Sequence, residues 1–357
     1  MADRMRAAVV LGSGGARGYA HIGALEVLGE RGFDVVSIAG TSMGALVGGV
    51  AAAGKLDTYT EWARSLTQRE VWRLLDLTLP AGGGAIRAER IIAKVGEILD
   101  GATIEKLPIP YTAVATDINA RREVWFQRGP VEHAVRASIA IPGVITPAVI
   151  NGRVLVDGGL INPIPIEPTA AASVDLTIAV SLSGMRSVAG AAPVKESSES
   201  VPREEWTSRL RRSAAEVLES ERFRAITGRL GGHPREAEVA EVGGDVGGGL
   251  GGDVGAGVGG GVGAVVGAAV GDGVVVPQTP TEAYVLGQAD VGLVDLLNMS
   301  FDTMSALISR YRMASNPPDV LVTVPSNAVR TLDFHRAAEM IELGRELTTE
   351  ALDHAGY

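Results

Sequence analysis

Residues 35–53 of this chain, VVSIAGTSMGALVGGVAAA, decide its fold. The segment opens with a largely apolar run, 35–39, which predicts a buried strand that ends at Gly40. It closes with residues 43–53, all small or apolar, which predict a closely packed helix. The segment therefore predicts a strand that turns tightly into a helix.

The turn itself carries a recognisable motif. Gly40-Thr41-Ser42-Met43-Gly44 fits the pattern G-x-S-x-G. Between a strand and a helix, this pattern lifts a serine hydroxyl above the edge of the sheet, in an elbow that the flanking glycines make possible. Ser42 is therefore a candidate nucleophile, with Gly40 and Gly44 as elbow residues. The alternative is a serine that only caps the helix between packing glycines.

The same order of elements precedes this segment. Residues 7–11 predict a buried strand, Gly12-Ser13-Gly14-Gly15 a turn, and 16–30 a helix. Strand, helix, strand and helix joined by short turns are typical of a parallel sheet with helices on its faces. We expect an α/β fold with a mainly parallel central sheet flanked by helices.

Later patterns extend this arrangement. Further strands are predicted at 111–117, 123–127, 175–181 and 319–324, and a hairpin around Asn151-Gly152. Further helices are predicted at 57–66, 89–99, from Pro130 to near Gly143, 293–311 and 335–347.

The first glycine-rich turn resembles a dinucleotide-binding loop but does not complete the pattern. G-x-G-x-x-G would need glycine where Arg17 stands, and an acidic residue where Ala39 and Gly40 end the next strand. What remains is a cluster of backbone N–H groups beside Ser42, suited to an anion or an oxyanion. A plain turn is the alternative.

Asp157 is the candidate base. It follows the predicted strand 153–156 and precedes Gly158-Gly159. The carboxyl end of a strand belongs on the edge where Ser42 is expected, and apolar surroundings can raise a carboxylate's pKa enough for it to act as a base. Two alternatives stay open: a simple Asp-Gly turn, and a Ser42–Asp157–His335 triad.

Composition excludes several functional classes. The chain has no cysteine, which excludes disulfides, thiolate metal sites and cysteine nucleophiles. No two of its 5 histidines lie at the spacing of a helical zinc motif. A net charge of −10 argues against nucleic-acid binding and against electrostatic docking on anionic membranes. We expect no metal and no cofactor. Without a signal segment or an apolar run long enough to span a bilayer, a cytoplasmic protein is expected.

The composition changes after residue 184. Residues 231–273 hold 18 glycines among 43 positions, too many for regular structure. We expect a catalytic domain in two parts, 1–184 and 281–357, separated by a glycine-rich insertion, 185–280, with one helix at 205–230. The alternative for the insertion is a membrane-touching or self-associating segment in its uncharged run, 254–271.

Taken together, these motifs resemble the bacterial patatin-like phospholipases, including the group related to neuropathy target esterase. The resemblance covers about residues 6–182 and 282–345. The matching stretches are Gly12 to Gly18 with Ala20-His21-Ile22-Gly23-Ala24-Leu25, Gly40 to Gly44, Ala134 to Ser138 with Ile141-Pro142-Gly143, Val156 to Gly159 with Asn162-Pro163, and Asp319-Val320-Leu321 with the helix from Phe334.

The resemblance implies a patatin-like three-layer fold and a Ser–Asp dyad that works without histidine or metal. Ser42 would attack an ester carbonyl and Asp157 would accept its proton. The loop from Gly12 to Arg17 would form the oxyanion hole, with N–H groups around Gly14, Gly15 and Ala16 as donors and Arg17 holding the loop.

The implied substrate is a lipid or another carboxylic ester, cleaved in the manner of a phospholipase A during transient contact with a membrane surface. The alternative function is a regulatory module that binds lipid or acyl chains without cleaving them. The oligomeric state stays open. Five apolar residues are candidates for an acyl pocket, although ordinary core packing is favoured for them: Trp62, Trp72, Leu74, Leu75 and Leu77.

Overall fold

A computed structural model describes residues 4–76, 84–184 and 293–357. Within these ranges the strands are β1 Arg6–Leu11, β2 Asp34–Thr41, β3 Gly84–Ile86, β4 Tyr111–Asp117, β5 Arg122–Phe126, β6 Gly143–Ile145, β7 Ala148–Ile150, β8 Arg153–Asp157, β9 Leu176–Gly184 and β10 Val320–Pro325. The helices are α1 Ala20–Glu30, α2 Met43–Ala52, α3 Leu56–Ser65, α4 Gln68–Leu74, α5 Glu89–Leu99, α6 Val131–Ser138, α7 Leu293–Ser315 and α8 Ala337–Ala355.

Eight of these strands form one mixed sheet. Its order is β10-β9-β1-β2-β4-β8-β7, and β5 pairs with β4. The strands from β10 to β4 run parallel, whereas β5 and β8 run antiparallel to β4, and β7 antiparallel to β8. The expected α/β fold with a mainly parallel centre is confirmed.

The sheet is covered on both faces. Along β1, Val9 and Leu11 join the main hydrophobic core, whereas Val10 belongs to a separate cluster with Ile164. Successive side chains of a strand point to opposite faces, so these two clusters lie on opposite sides of the sheet. That burial on both faces explains why β1 is almost continuously apolar.

Two strands that meet end to end bring Ser42 and Asp157 together. β2 pairs with the first half of β4 and ends with Thr41 opposite Val114. β8 pairs with the second half of β4 and ends with Asp157 opposite Ala115. β5 occupies the other edge of β4 along 113–117, so β2 and β8 share one edge and run towards each other. Asp157 was expected at the carboxyl end of its strand, close to Ser42; it lies there, on a strand that runs antiparallel to β4.

Three predicted helices differ from the observed ones at their ends. A 3₁₀ turn at Gly15–Tyr19 precedes α1, where the sequence predicted a continuous helix. α6 ends at Ser138, earlier than the expected Ile141 to Gly143. The last helix starts at Ala337, after a 3₁₀ turn, and runs to Ala355. The hairpin is confirmed, and Asn151 and Gly152 both have the positive φ that its tight turn needs.

The predicted linker, helix 205–230 and glycine-rich insertion lie outside the described residues. Among the helices of the described ranges, none combines the length and the apolar character that crossing a bilayer requires.

The elbow around Ser42 depends on close backbone contacts. Ser42 has φ 58° and ψ −124°, a conformation that is strained for a residue with a side chain. A Cβ on Gly40 would collide with the carbonyl of Gly44, and a Cβ on Gly44 with the carbonyl of Leu11. The two glycines therefore let the first turn of α2 pack directly on the ends of β1 and β2.

We predict that Gly44→Ala lowers the free energy of unfolding by about 3 kcal/mol, because the rigid backbone of β1 cannot move away from the added methyl group. Gly29→Ala is the matched control, since no atom lies within 4 Å of the position of its Cβ and its φ is not positive. That substitution should raise stability by about 0.5 kcal/mol. Urea unfolding measures both; equal effects would contradict the packing argument.

Candidate active site

Ser42 and Asp157 form a buried hydrogen-bonded pair. The Ser42 hydroxyl donates to Asp157 Oδ2 over 2.6 Å, and both side chains are almost fully buried. The backbone N–H of Ser42 donates to Ser138 Oγ over 2.8 Å, and the Ser138 hydroxyl donates to the carbonyl of Val114 over 2.6 Å. The strained backbone of Ser42 is thus tied to β4 through Ser138, at the end of α6.

Hydrogen bonds hold both the side chain and the backbone of Asp157. Its Oδ1 accepts the N–H of Gly159 over 2.7 Å, and its backbone carbonyl accepts the Thr116 hydroxyl over 3.0 Å. Burial raises the pKa of Asp157 from its usual 3.8 to about 7, against the lowering effect of the hydrogen bonds from Ser42 and Gly159. Near neutral pH this carboxyl group can therefore both accept and return a proton.

The glycine-rich loop forms part of the wall of the cleft beside Ser42. Gly12 N–H donates to Val180 O over 3.0 Å, and Ala16 N–H to Thr331 O over 2.9 Å. Gly14 and Gly15 line the cleft with Ser42, and their N–H groups have no acceptor among the described residues. Gly12 and Ala16, which were also expected in the oxyanion loop, thus use their N–H groups in backbone hydrogen bonds.

Arg17 and His21 hold this loop in place through hydrogen bonds to its carbonyl groups. The buried Arg17 guanidinium donates to Gly14 O over 3.0 Å, to Ser326 O over 2.6 Å and to Asp302 Oδ1 over 3.1 Å. His21 Nε2 lies 2.8 Å from the carbonyl of Gly12, so this nitrogen carries the proton and donates. Burial lowers the pKa of His21 to about 4, which keeps its ring neutral at neutral pH.

The described residues place no histidine against Ser42. His335 lies in the 3₁₀ turn Phe334–Arg336 and is not part of the wall of the cleft around Ser42. His21 faces the loop backbone instead. The same residues contain no cluster of three or more His, Asp or Glu that could hold a metal ion.

Two clefts meet at Ser42. The first, the dyad cleft of about 470 Å³, contains both dyad residues and the glycine-rich loop. An apolar cleft of about 690 Å³ starts at Ser42 and has Trp62, Leu74 and Leu75 in its wall. These three were candidates for an acyl pocket, although core packing was favoured for them; they line this cleft and also pack on the core. Trp72 is exposed, and Leu77 lies outside the described residues.

Helix α7 supplies contacts that the sequence analysis missed. Arg312 Nε donates to Ile161 O over 3.0 Å, and its terminal nitrogens pair with Glu123 and Glu167. Asn162, beside Ile161, accepts the hydroxyl of Thr41 at its carbonyl over 2.9 Å. Arg312 thus supports both the segment after Asp157 and the residue before Ser42.

Comparison with known proteins places this site in context. The family model described as patatin-like phospholipase matches residues 9–170. An uncharacterized NTE family protein of Mycobacterium tuberculosis is 43% identical over 348 residues, covering 98% of this chain and 91% of that protein. Patatin-like phospholipase domain-containing protein 6 of Homo sapiens is 34% identical over 180 residues, which are 48% of this chain and 13% of that protein. A crystal structure of VipD from Legionella pneumophila aligns with a TM-score of 0.40 and 14% identity, over 99% of this chain and 67% of that chain.

We predict that the buried Asp157 makes the stability of the protein depend on pH. Because its pKa is raised in the folded state, from 3.8 to about 7, the folded protein binds this proton more tightly than the unfolded chain. Stability should therefore fall as pH rises from 4 to 8, by on the order of 4 kcal/mol relative to Asp157→Asn. The ionisation of His21 contributes equally to the two proteins, so it cancels from the difference between their free energies of unfolding. Urea unfolding at several pH values measures the difference; parallel curves would contradict a buried, raised carboxyl group.

Proposed function

This chain belongs to the NTE group of the patatin-like phospholipase family of lipid ester hydrolases, and we propose that it cleaves carboxylic esters of lipids with a Ser42–Asp157 dyad. The observation that carries the proposal is the 2.6 Å hydrogen bond from the Ser42 hydroxyl to a buried carboxylate. A serine needs an adjacent base to attack an ester, and Asp157 is the titratable group that touches its hydroxyl.

The first step is acylation. Asp157 in its ionised form takes the proton of Ser42 Oγ as that oxygen forms a bond to the ester carbonyl carbon. The negative charge moves to the carbonyl oxygen, where the N–H groups of Gly14 and Gly15 and the N-terminus of α2 stabilise it. The intermediate then collapses: the bond to the leaving alcohol breaks, and Asp157 returns its proton to the departing oxygen. Ser42 is left as an acyl ester.

The second step is hydrolysis of that ester. A water molecule occupies the position of the departed alcohol and gives a proton to Asp157 while its oxygen attacks the acyl carbon. Collapse of the second tetrahedral intermediate breaks the bond to Ser42 Oγ, and the proton on Asp157 returns to that oxygen. The fatty acid leaves, and the dyad is restored. Because one carboxyl group acts as base and acid in turn, a pKa near 7 suits both roles.

The apolar cleft supports an acyl chain as the group that remains on Ser42. Its wall joins the dyad cleft at Ser42 and Ile141, so an ester whose carbonyl lies at Ser42 can extend its hydrocarbon chain into the apolar cleft. Burying a chain there would contribute about 0.8 kcal/mol for each methylene group. The dyad cleft would then hold the glycerol or head group.

We also propose that one catalytic domain contains both ends of the described chain, with 185–280 inserted into it. In support, β10 extends the sheet next to β9. Asp302 and Ser305 of α7 line the cleft that holds the dyad.

Substitution of the dyad tests the mechanism. Ser42→Ala and Asp157→Asn should each lower the rate on a soluble short-chain nitrophenyl ester at least about a thousandfold, because nucleophile and base act as one unit. His335→Ala should leave the rate unchanged, whereas a triad predicts a large loss. Asp117→Asn, which alters another buried carboxylate of the same sheet, is the matched control. Folded Asp157→Asn protein with the wild-type rate would contradict the dyad, and an inert wild type would favour lipid binding without cleavage.

Filling the apolar cleft tests the site of the acyl chain. Leu74→Trp/Ile91→Trp adds bulk to its wall, and we expect about a tenfold lower rate on esters of long fatty acids with little change on butyrate esters. Arg73→Trp/Arg90→Trp places the same bulk on the neighbouring, exposed positions. The control should keep the wild-type preference for chain length. Equal effects of the two pairs would place the acyl chain elsewhere.

A further inference from the structure

Helix α7 buries several polar side chains and exposes several large apolar ones. Ser305, Ser309 and the ion-paired Arg312 face the protein. Phe301, Ile308 and Met313 are half-buried. Five other large apolar residues have 44% to 69% of their surface exposed: Leu296, Met299, Met304, Leu307 and Tyr311. At 3.6 residues per turn these five fall within an arc of about 140°. They form a largely apolar stripe that also contains the exposed Ser300, Thr303 and Arg310. A helix on a protein in water normally has the opposite arrangement.

The buried polar side explains why the helix is orientated in this way. Arg312 reaches Ile161, Glu123 and Glu167, and Ser305 Oγ lies 3.3 Å from the carbonyl of Gly159. These contacts fix α7 against the segment that follows Asp157. The exposed stripe is thus a consequence of a firmly held helix.

The stripe leads directly to the dyad. A surface groove of about 1130 Å³ contains Met299 and Leu307 of the stripe together with Arg17, Ser183 and Asp302. Arg17, Ser183 and Asp302 also line the dyad cleft around Ser42 and Asp157. The apolar face and the site that would cleave a lipid ester are therefore neighbouring parts of one surface.

We propose that this face of α7 docks on the surface of a neutral or zwitterionic lipid aggregate and so positions the dyad cleft over it. The inference rests on the proposed function, because the continuity of the stripe with the cleft is what selects a lipid surface as the occupant. Charge selects the kind of lipid. The stripe contains one basic residue, Arg310, and the whole chain carries a net charge of −10, so an anionic bilayer would repel the protein. Exposed contiguous apolar patches mark interaction sites.

Vesicle flotation tests the docking separately from catalysis. All proteins carry Ser42→Ala, so that no lipid is cleaved, and are mixed with phosphatidylcholine vesicles or with vesicles that also contain phosphatidylglycerol. Leu307→Asp/Tyr311→Asp should lower partition at least about tenfold, because it places two charges in the stripe. Ile118→Asp/Val149→Asp, which alters two exposed apolar residues outside α7, should leave partition unchanged. Adding phosphatidylglycerol should weaken binding.

Activity supplies the second readout. With Ser42 intact, Leu307→Asp/Tyr311→Asp should keep the wild-type rate on a soluble short-chain ester and lose at least about tenfold on a long-chain ester in phosphatidylcholine vesicles. Three results would overturn the proposal: equal flotation of both double variants, flotation only on anionic vesicles, or a wild-type dimer that the α7 substitutions dissociate, which would assign the face to a second copy. A wild type that floats but cleaves neither ester would refute the dyad and leave the docking face standing.

Discussion

The hydrogen bond between Ser42 Oγ and Asp157 Oδ2 is the interaction around which the rest of the site is arranged. It requires a carboxylate in a buried position, where ionisation is costly, and a serine in a strained backbone conformation. Neither condition is met by a local segment on its own. The fold meets both because β2 and β8 approach each other along one edge of β4. The two residues are 115 positions apart in the chain but adjacent in space.

The surrounding contacts hold the two strand ends at this separation. On the Ser42 side, Ser138 binds the backbone N–H of the nucleophile. On the Asp157 side, α7 contributes Ser305 and Arg312 to the segment that follows the carboxylate. Two polar side chains of α7 thus support the site, while five of its large apolar side chains lie exposed on the outer side of the helix. The same helix therefore supports the dyad and carries the exposed stripe beside it.

The sequence predicted the parts of the site that depend on local chemistry. Gly40-Thr41-Ser42-Met43-Gly44 predicted the elbow, and Asn151-Gly152 predicted the hairpin, because turns are determined by the residues within them. The antiparallel direction of β8 was not predictable in this way, since it depends on pairing with a strand about 40 residues earlier. Nor was the partner of the Ala16 N–H, the carbonyl of Thr331 more than 300 residues away. Long-range contacts of this kind leave no periodic signal in a single sequence.

The central claim is that Asp157, buried and with a raised pKa, is the base that activates Ser42. The most direct test is the rate at which a fluorophosphonate labels Ser42, followed by intact mass between pH 5 and pH 9 for the wild type and for Asp157→Asn. The account predicts that labelling of the wild type rises with pH along a single ionisation curve with its midpoint near 7, and that this rise is lost in Asp157→Asn. A rate independent of pH, or the same curve in both proteins, would contradict it.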